Sequence, residues 1–165
     1  FLHVRTSTDK EDMQVLSIDA PLVELRALTI KEGIEIDKAE ALEMALIHDI
    51  EEVFSGDILS PFKNYSSEVK QAIRKVNVEI LPQRFSDLTD ELSSHYIALW
   101  TEEGVQKSIE AQVVKAADRL SLITKCEEEV RIGNEFFSQI LKNQQEVLEH
   151  QEYEWWKRIR SQVVD

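Results

Sequence analysis

Within "ALIHDIEEVFSGD", residues 45–57, an imidazole and three of the carboxylates could do chemistry together: His48, Asp49, Glu52 and Asp57. Imidazole with oxygen donors suits a divalent first-row metal, and a carboxylate left uncoordinated beside it suits proton transfer. Asp49 falls at helical spacing from Ala45, Leu46 and Val53, on what reads as an apolar stripe. An unpaired charge there costs several kcal/mol, so Asp49 needs a cation or strong donors. Neighbouring residues of a helix diverge by about 100°, yet His48 and Asp49 can both reach one ion lying over the groove between them, with Glu52 one turn beyond His48. A hydrogen-bonded surface pair is the open alternative. Further on, in "VVKAADRLSLITKC", Asp118 adjoins the stripe of Val113, Ala117 and Leu120. It is a second inward carboxylate, unless a salt bridge to Lys115 or Arg119 accounts for it.

The elements that must carry these residues read as helices throughout. Four glycines and three prolines punctuate 165 residues, and the stretches between them keep a 3.6-residue rhythm. The fold class is all-α, and the length suits one domain with a core of its own. Residues 11–18 look helical, and Asp19 is expected to cap a new helix running to Gly33, because Pro21 is costly in a helix interior. Asp37 opens a helix to about Phe54, and Ser66 or Ser67 opens one to about Leu81, where Pro82 interrupts. Others cover about Leu88–Glu103, ending near Gly104, then Gln106–Ile132 and Asn134–Gln162. No repeat, low-complexity segment or linker is visible.

Composition narrows the function. The 32 acidic and 19 basic residues give a net charge of −13, which disfavours a nucleic-acid polymer. A small anionic substrate stays open, because a metal and a few cations reverse the field locally. The single cysteine, Cys126, forbids an internal disulfide and reads as a small buried hydrophobe among acidic neighbours. With no apolar run of membrane length and no signal-peptide pattern, the chain is expected to be soluble and cytoplasmic. Residue 1 is phenylalanine, so the numbering is expected to start inside a longer polypeptide. Tyr153, Trp155 and Trp156 crowd a charged helix and offer either a homodimer contact or a local packing cluster.

"ALIHDIEEVFSGDILSPFKNY", followed 69 residues after Asp49 by the aspartate of "VVKAADRLSLITKCEEEVRIGNEFF", resembles the HD-domain metal-dependent phosphohydrolases, in particular the bacterial 5′-deoxynucleotidases. The likeness extends from "VRT" near the start to the C-terminal helices, so residues 1–165 are expected to form one helical HD domain. It implies that His48 and Asp49 are paired metal ligands and Asp118 the distal ligand. Glu52 and Asp57 match acidic residues that position the attacking water and protonate the leaving oxygen. Lys63 matches a basic position near the phosphate, and Lys115 precedes the distal aspartate as in the family; for both, a solvated-surface role stays open. The implied reaction is hydrolysis of deoxyribonucleoside 5′-monophosphates to nucleoside and phosphate, with a divalent ion such as manganese, cobalt or magnesium, by a homodimer.

One family feature is missing. The first metal ligand is a histidine after an "RT" dipeptide, but this chain reads "RTSTDKEDMQV". Counting from Arg5-Thr6 puts Asp12 there, 36 residues before His48, whereas anchoring on the following valine favours Glu11. Three readings stay open: Asp12 ligates in place of histidine, the site is weakened or inactive, or His3 has moved in. With Asp12 the donor set becomes richer in oxygen, which shifts preference toward manganese or magnesium. His95 and His150 lack acidic partners at ligand spacing and read as structural. A deoxynucleoside triphosphate triphosphohydrolase on the same scaffold and a non-catalytic nucleotide-binding HD protein are the remaining alternatives.

Overall fold

The computed structural model describes residues 12–56, 58, 60–63 and 65–163, with side chains described from residue 21 except at 60 and 61. Its described residues form α-helices and no strand: α1 Asp12–Lys31, α2 Lys38–Ile47, α3 Glu52–Ser55, α4 Ser60–Lys63, α5 Ser67–Arg84, α6 Asp90–Val105, α7 Ile109–Arg131, α8 Phe136–Glu149 and α9 Glu154–Val163. Local chemistry sets several starts. The side chains of Asp37, Ser66, Thr89 and Ser108 each accept a backbone N–H in the first turn that follows, a cap that contributes about 1 kcal/mol.

α7 is the central element, packed against α1, α2, α6 and α8. Its Ala111, Val113, Val114, Ala116 and Ala117 are fully buried. Short side chains let neighbouring helices come close, and the gaps are filled from outside by Leu25 of α1, Met44 of α2 and Trp156 and Ile159 of α9. A second, smaller core joins Leu81, Phe85 and Trp100, with Ile47, Ile50, Tyr96 and Ile97 packed on it. The first core holds α7, and the second holds the segment after α2.

Several boundaries differ from the sequence reading. α1 is continuous through Pro21, and α5 continues through Pro82 to Arg84; tertiary packing supports both helices around the missing N–H. α6 ends at Val105, next to the expected Gly104, and its cap is not the glycine but Gln106, whose φ of 55° is left-handed. Gln106 holds that conformation through its N–H to the Glu102 carbonyl at 2.8 Å, while its own carbonyl accepts from Gln112 and its side chain from the Tyr153 hydroxyl. The expected last helix is two, α8 and α9, separated by residues 150–153. The break brings Tyr153, Trp155 and Trp156 inward: Trp155 and Trp156 are buried in the chain's own core, and the Trp155 indole donates to Gln112 Oε1 at 2.9 Å. These aromatics therefore offer no free docking face. Cys126 is buried, and burial, then Glu127 and Glu129, push its thiol pKa up.

Replacing Trp156 by Ala removes the largest fully buried side chain of the main core. Urea unfolding is expected to show a loss of about 3–5 kcal/mol, and a loss below about 1 kcal/mol would contradict its central place.

Candidate metal and phosphate site

The expected helix from Asp37 to Phe54 is interrupted where the chemistry lies. α2 ends at Ile47, residues 48–51 form a turn, and α3 starts at Glu52. Asp49 is consequently not buried on a stripe. Its side chain is 54 % exposed, whereas His48 beside it is only 16 % exposed. The face that α2 buries is Ala41, Met44 and Ala45, and Leu46 and Val53, assigned to the stripe with Asp49, are exposed. A helical period counted across the turn misassigns Asp49 and Val53, and Leu46, still within α2, lies off the face of Ala41, Met44 and Ala45.

The His48 ring is held at both nitrogens: Nδ1 lies 2.8 Å from the Ala45 carbonyl and Nε2 lies 2.9 Å from Asp49 Oδ2. Nδ1–H donates to the carbonyl and Nε2–H to Asp49, so Nε2 is the nitrogen that would take a cation in exchange for its proton. Burial works against the imidazolium. The hydrogen bond and charge of Asp49, the charge of Asp118 and the Ala45 carbonyl outweigh burial and push the His48 pKa up to about 9. At Asp49, desolvation is outweighed by His48, then by Lys115 and Lys63, and the carboxyl pKa is lowered.

α7 supplies the opposite wall. Lys115 Nζ donates to Asp118 Oδ2 at 3.1 Å and lies 3.4 Å from Glu103 Oε1 of α6. Burial opposes the ammonium too, but Asp118, Glu103 and Asp49 overcome it and hold the Lys115 pKa above the usual lysine range. The Glu103 side chain is only 9 % exposed. Burial pushes its carboxyl pKa up against the pull of Lys115 and His48. The salt-bridge alternative for Asp118 thus has its partner, Lys115, and that same pair faces the His48–Asp49 turn. Lys63, at the end of α4, adds its charge to the field at Asp49. Glu52 follows the turn directly, its N–H bonded to the Asp49 carbonyl at 2.9 Å.

Asp57, Glu11, His3 and the side chain of Asp12 lie outside the described residues. His95 sits away from the cluster, 2.6 Å from Glu43 Oε2, and His150 caps α8 through the Glu146 carbonyl. Two carboxylates were missed from the sequence, Glu103 and Glu51. Glu103 stands one helical turn after the buried Leu99, a position at which an acid reads as a surface residue unless its cation on α7 is known. Glu51 Oε2 accepts the Trp100 indole N–H at 2.7 Å, a pairing across 49 residues that carries no local signal.

The donor chemistry fits a divalent cation. Asp49, Asp118 and Glu103 stabilise positive charge on His48 and Lys115 in spite of burial, as a pocket for a cation should. Among the described residues no three His, Cys, Asp or Glu side chains already converge on one point.

An all-helical scaffold with a histidine–aspartate turn facing a lysine–aspartate pair defines a candidate phosphohydrolase of the HD class. Residues 4–160 match the family described as 5′-deoxynucleotidase YfbR-like, and the chain belongs to that family of hydrolases. It is 32 % identical over 144 residues to the 5′-deoxynucleotidase of Shewanella oneidensis, covering 84 % of this chain and 72 % of that one. It is 31 % identical over 137 residues to 5′-deoxynucleotidase YfbR of Salmonella typhi, covering 82 % and 67 %. The fold is also that of the PH0347 protein from Pyrococcus horikoshii, with a TM-score of 0.72, 21 % identity and coverage of 96 % and 82 %.

The His48 shift has a definite sign. Its folded pKa of about 9 exceeds the ordinary 6.5, so the stability it contributes is complete below the lower value and lost as pH rises through the higher. Melting temperatures of the metal-free protein should fall across that window, and His48→Gln should flatten the fall; an equal slope in the variant would refute the coupling.

Proposed function

We propose that this chain is a cytoplasmic, metal-dependent hydrolase of deoxyribonucleoside 5′-monophosphates, working as a single HD domain that pairs into a homodimer. The observation that carries the reading is the Lys115–Asp118 pair of α7 facing the His48–Asp49 turn, 69 residues earlier in sequence. His48 Nε2, Asp49 and Asp118 would hold the cation, with Asp12 as the fourth donor. When bound, a divalent cation supplies Lewis-acid charge to the phosphate and makes water more acidic. The residues of the chain do the rest. The Ala45 carbonyl keeps a proton on Nδ1, so Nε2 is the nitrogen that would ligate, giving up the proton it shares with Asp49. Lys115 and Lys63 supply the positive charge that an incoming phosphate needs in a chain of net charge −13. Glu52, on the turn directly after Asp49, takes the proton of the attacking water, and Asp57 returns one to the leaving 5′ oxygen.

Purified protein should release inorganic phosphate from deoxynucleoside monophosphates in the presence of manganese, cobalt or magnesium. Tripolyphosphate released from triphosphates would instead favour the triphosphohydrolase, and no hydrolysis with any metal would favour a binding protein. Asp49→Ala and Asp118→Ala should each lose metal binding and at least about 100-fold in activity while circular dichroism stays helical. Retained metal content in Asp49→Ala would overturn the ligand set. Asp12→Ala should abolish activity, and Asp12→His should raise activity with cobalt relative to manganese; an Asp12→Ala enzyme of unchanged activity and metal preference would remove Asp12 from the site. Light scattering at micromolar concentration tests the dimer, and a monomer would exclude it.

A further inference from the structure

Residues 48–51, the turn between α2 and α3, carry two of the candidate ligands, yet the backbone bonds of this segment are short-range. Ile50 N–H reaches the Ile47 carbonyl at 3.0 Å, Glu52 N–H the Asp49 carbonyl at 2.9 Å and Phe54 N–H the Glu51 carbonyl at 3.0 Å. Such bonds shape a turn without fixing where it points. What grips this turn comes from elsewhere. Ile47 and Ile50, flanking the His48–Asp49 pair, pack on the Leu81–Phe85–Trp100 core, and the Trp100 indole donates to Glu51 Oε2 at 2.7 Å. Apolar packing is non-directional and lets a turn slide or rotate, whereas a hydrogen bond to a carboxylate is short, directional and about twice as strong as a neutral one. Trp100 is only 8 % exposed, so its N–H has little access to water if Glu51 is lost.

We propose that Trp100 and Glu51 are positioning residues: their indole–carboxylate hydrogen bond latches the His48–Glu51 turn to α6 and thereby sets the directions of His48, Asp49 and Glu52. The inference rests on the metal-site reading above and deepens it. α6 also carries Glu103, three residues after Trp100, which holds Lys115 against Asp118. One helix therefore ties the near wall of the site through Trp100 and the far wall through Glu103. Loosening the latch lets the ligands wander while the phosphate cations stay in place. It should weaken metal binding and kcat and leave KM nearly unchanged.

The test is a double-mutant cycle read by calorimetric titration with Mn²⁺ alone, using Trp100→Phe, Glu51→Ala, the double variant and Glu51→Gln, with helicity checked by circular dichroism. Trp100→Phe and Glu51→Ala should each weaken Mn²⁺ binding by about 10–100-fold, the range for partners that orient metal ligands, and the double variant should be no worse than the weaker single. Glu51→Gln keeps a neutral acceptor for the indole and should bind more tightly than Glu51→Ala, close to the wild type. The Trp100 indole resonance, identified by its loss in Trp100→Phe, should move in Glu51→Ala and stay in Glu51→Gln. Singles that bind Mn²⁺ as the wild type does, losses that add, or a Glu51→Gln as weak as Glu51→Ala would each overturn the latch. A wild type that binds Mn²⁺ but hydrolyses no nucleotide refutes the functional reading and leaves the latch standing. A wild type that binds no Mn²⁺ refutes both.

Discussion

The close approach of helices to α7 is the constraint on which the rest of the molecule depends. A helix wrapped on several sides must bury most of its circumference, and α7 does so with alanines and valines that are fully buried. Small side chains bring the axes of α1, α2 and α6 near. The same closeness brings the polar residues on the remaining strip of α7, Lys115 and Asp118, within reach of the neighbours' ends. A larger residue at the fully buried Ala116 or Ala117 would force the helices packed on α7 outward. Packing and chemistry are thus not separate features of this helix.

Charge follows from that geometry. A net charge of −13 would repel a phosphate at most points of the surface, but Lys115 sits where Asp118, Glu103 and Asp49 make losing its proton unfavourable. Removing one of those acids would leave a partly buried cation under-compensated, and removing Lys115 would leave three carboxylates facing one another, the costlier state. The cluster accommodates one more cation better than one fewer. An acidic chain can in this way keep local positive charge on two largely buried side chains, His48 and Lys115.

Much of this was legible in the sequence. The all-helical class, the caps at Asp37 and Ser66 and the start of α5 rest on local spacing, and the match across residues 4–160 bears out the family that the His48–Asp49 and Asp118 segments suggested. Less legible was whatever depends on contacts between distant segments. The turn at residues 48–51 is invisible to a periodicity that continues smoothly through it, so Asp49 read as buried although most of its side chain meets solvent. The two prolines inside helices are tolerated because tertiary packing outweighs a missing N–H. Trp155 and Trp156 read as either a partner surface or a local packing cluster, since consecutive residues on a straight helix diverge, and the cluster is what forms. The break at residues 150–153 gives α9 a new direction, and both rings face the core.

These differences share one cause, which also explains why the site lies where it does. A helix running unbroken from Asp37 to Phe54 would have to serve both cores along one straight axis. The larger core draws α2 in through Ala41, Met44 and Ala45, and the smaller draws Ile47 and Ile50 toward Leu81, Phe85 and Trp100. The turn reconciles the two directions. His48 and Asp49 sit at that seam, where α-helical bonding gives way to bonds three residues apart, a ring nitrogen bonds back to a carbonyl three residues earlier, and a carboxylate leans out toward solvent. An uninterrupted helix would aim the two side chains about 100° apart. At the seam His48 Nε2 and Asp49 Oδ2 nevertheless meet at 2.9 Å, with the ring anchored at its other nitrogen by the Ala45 carbonyl.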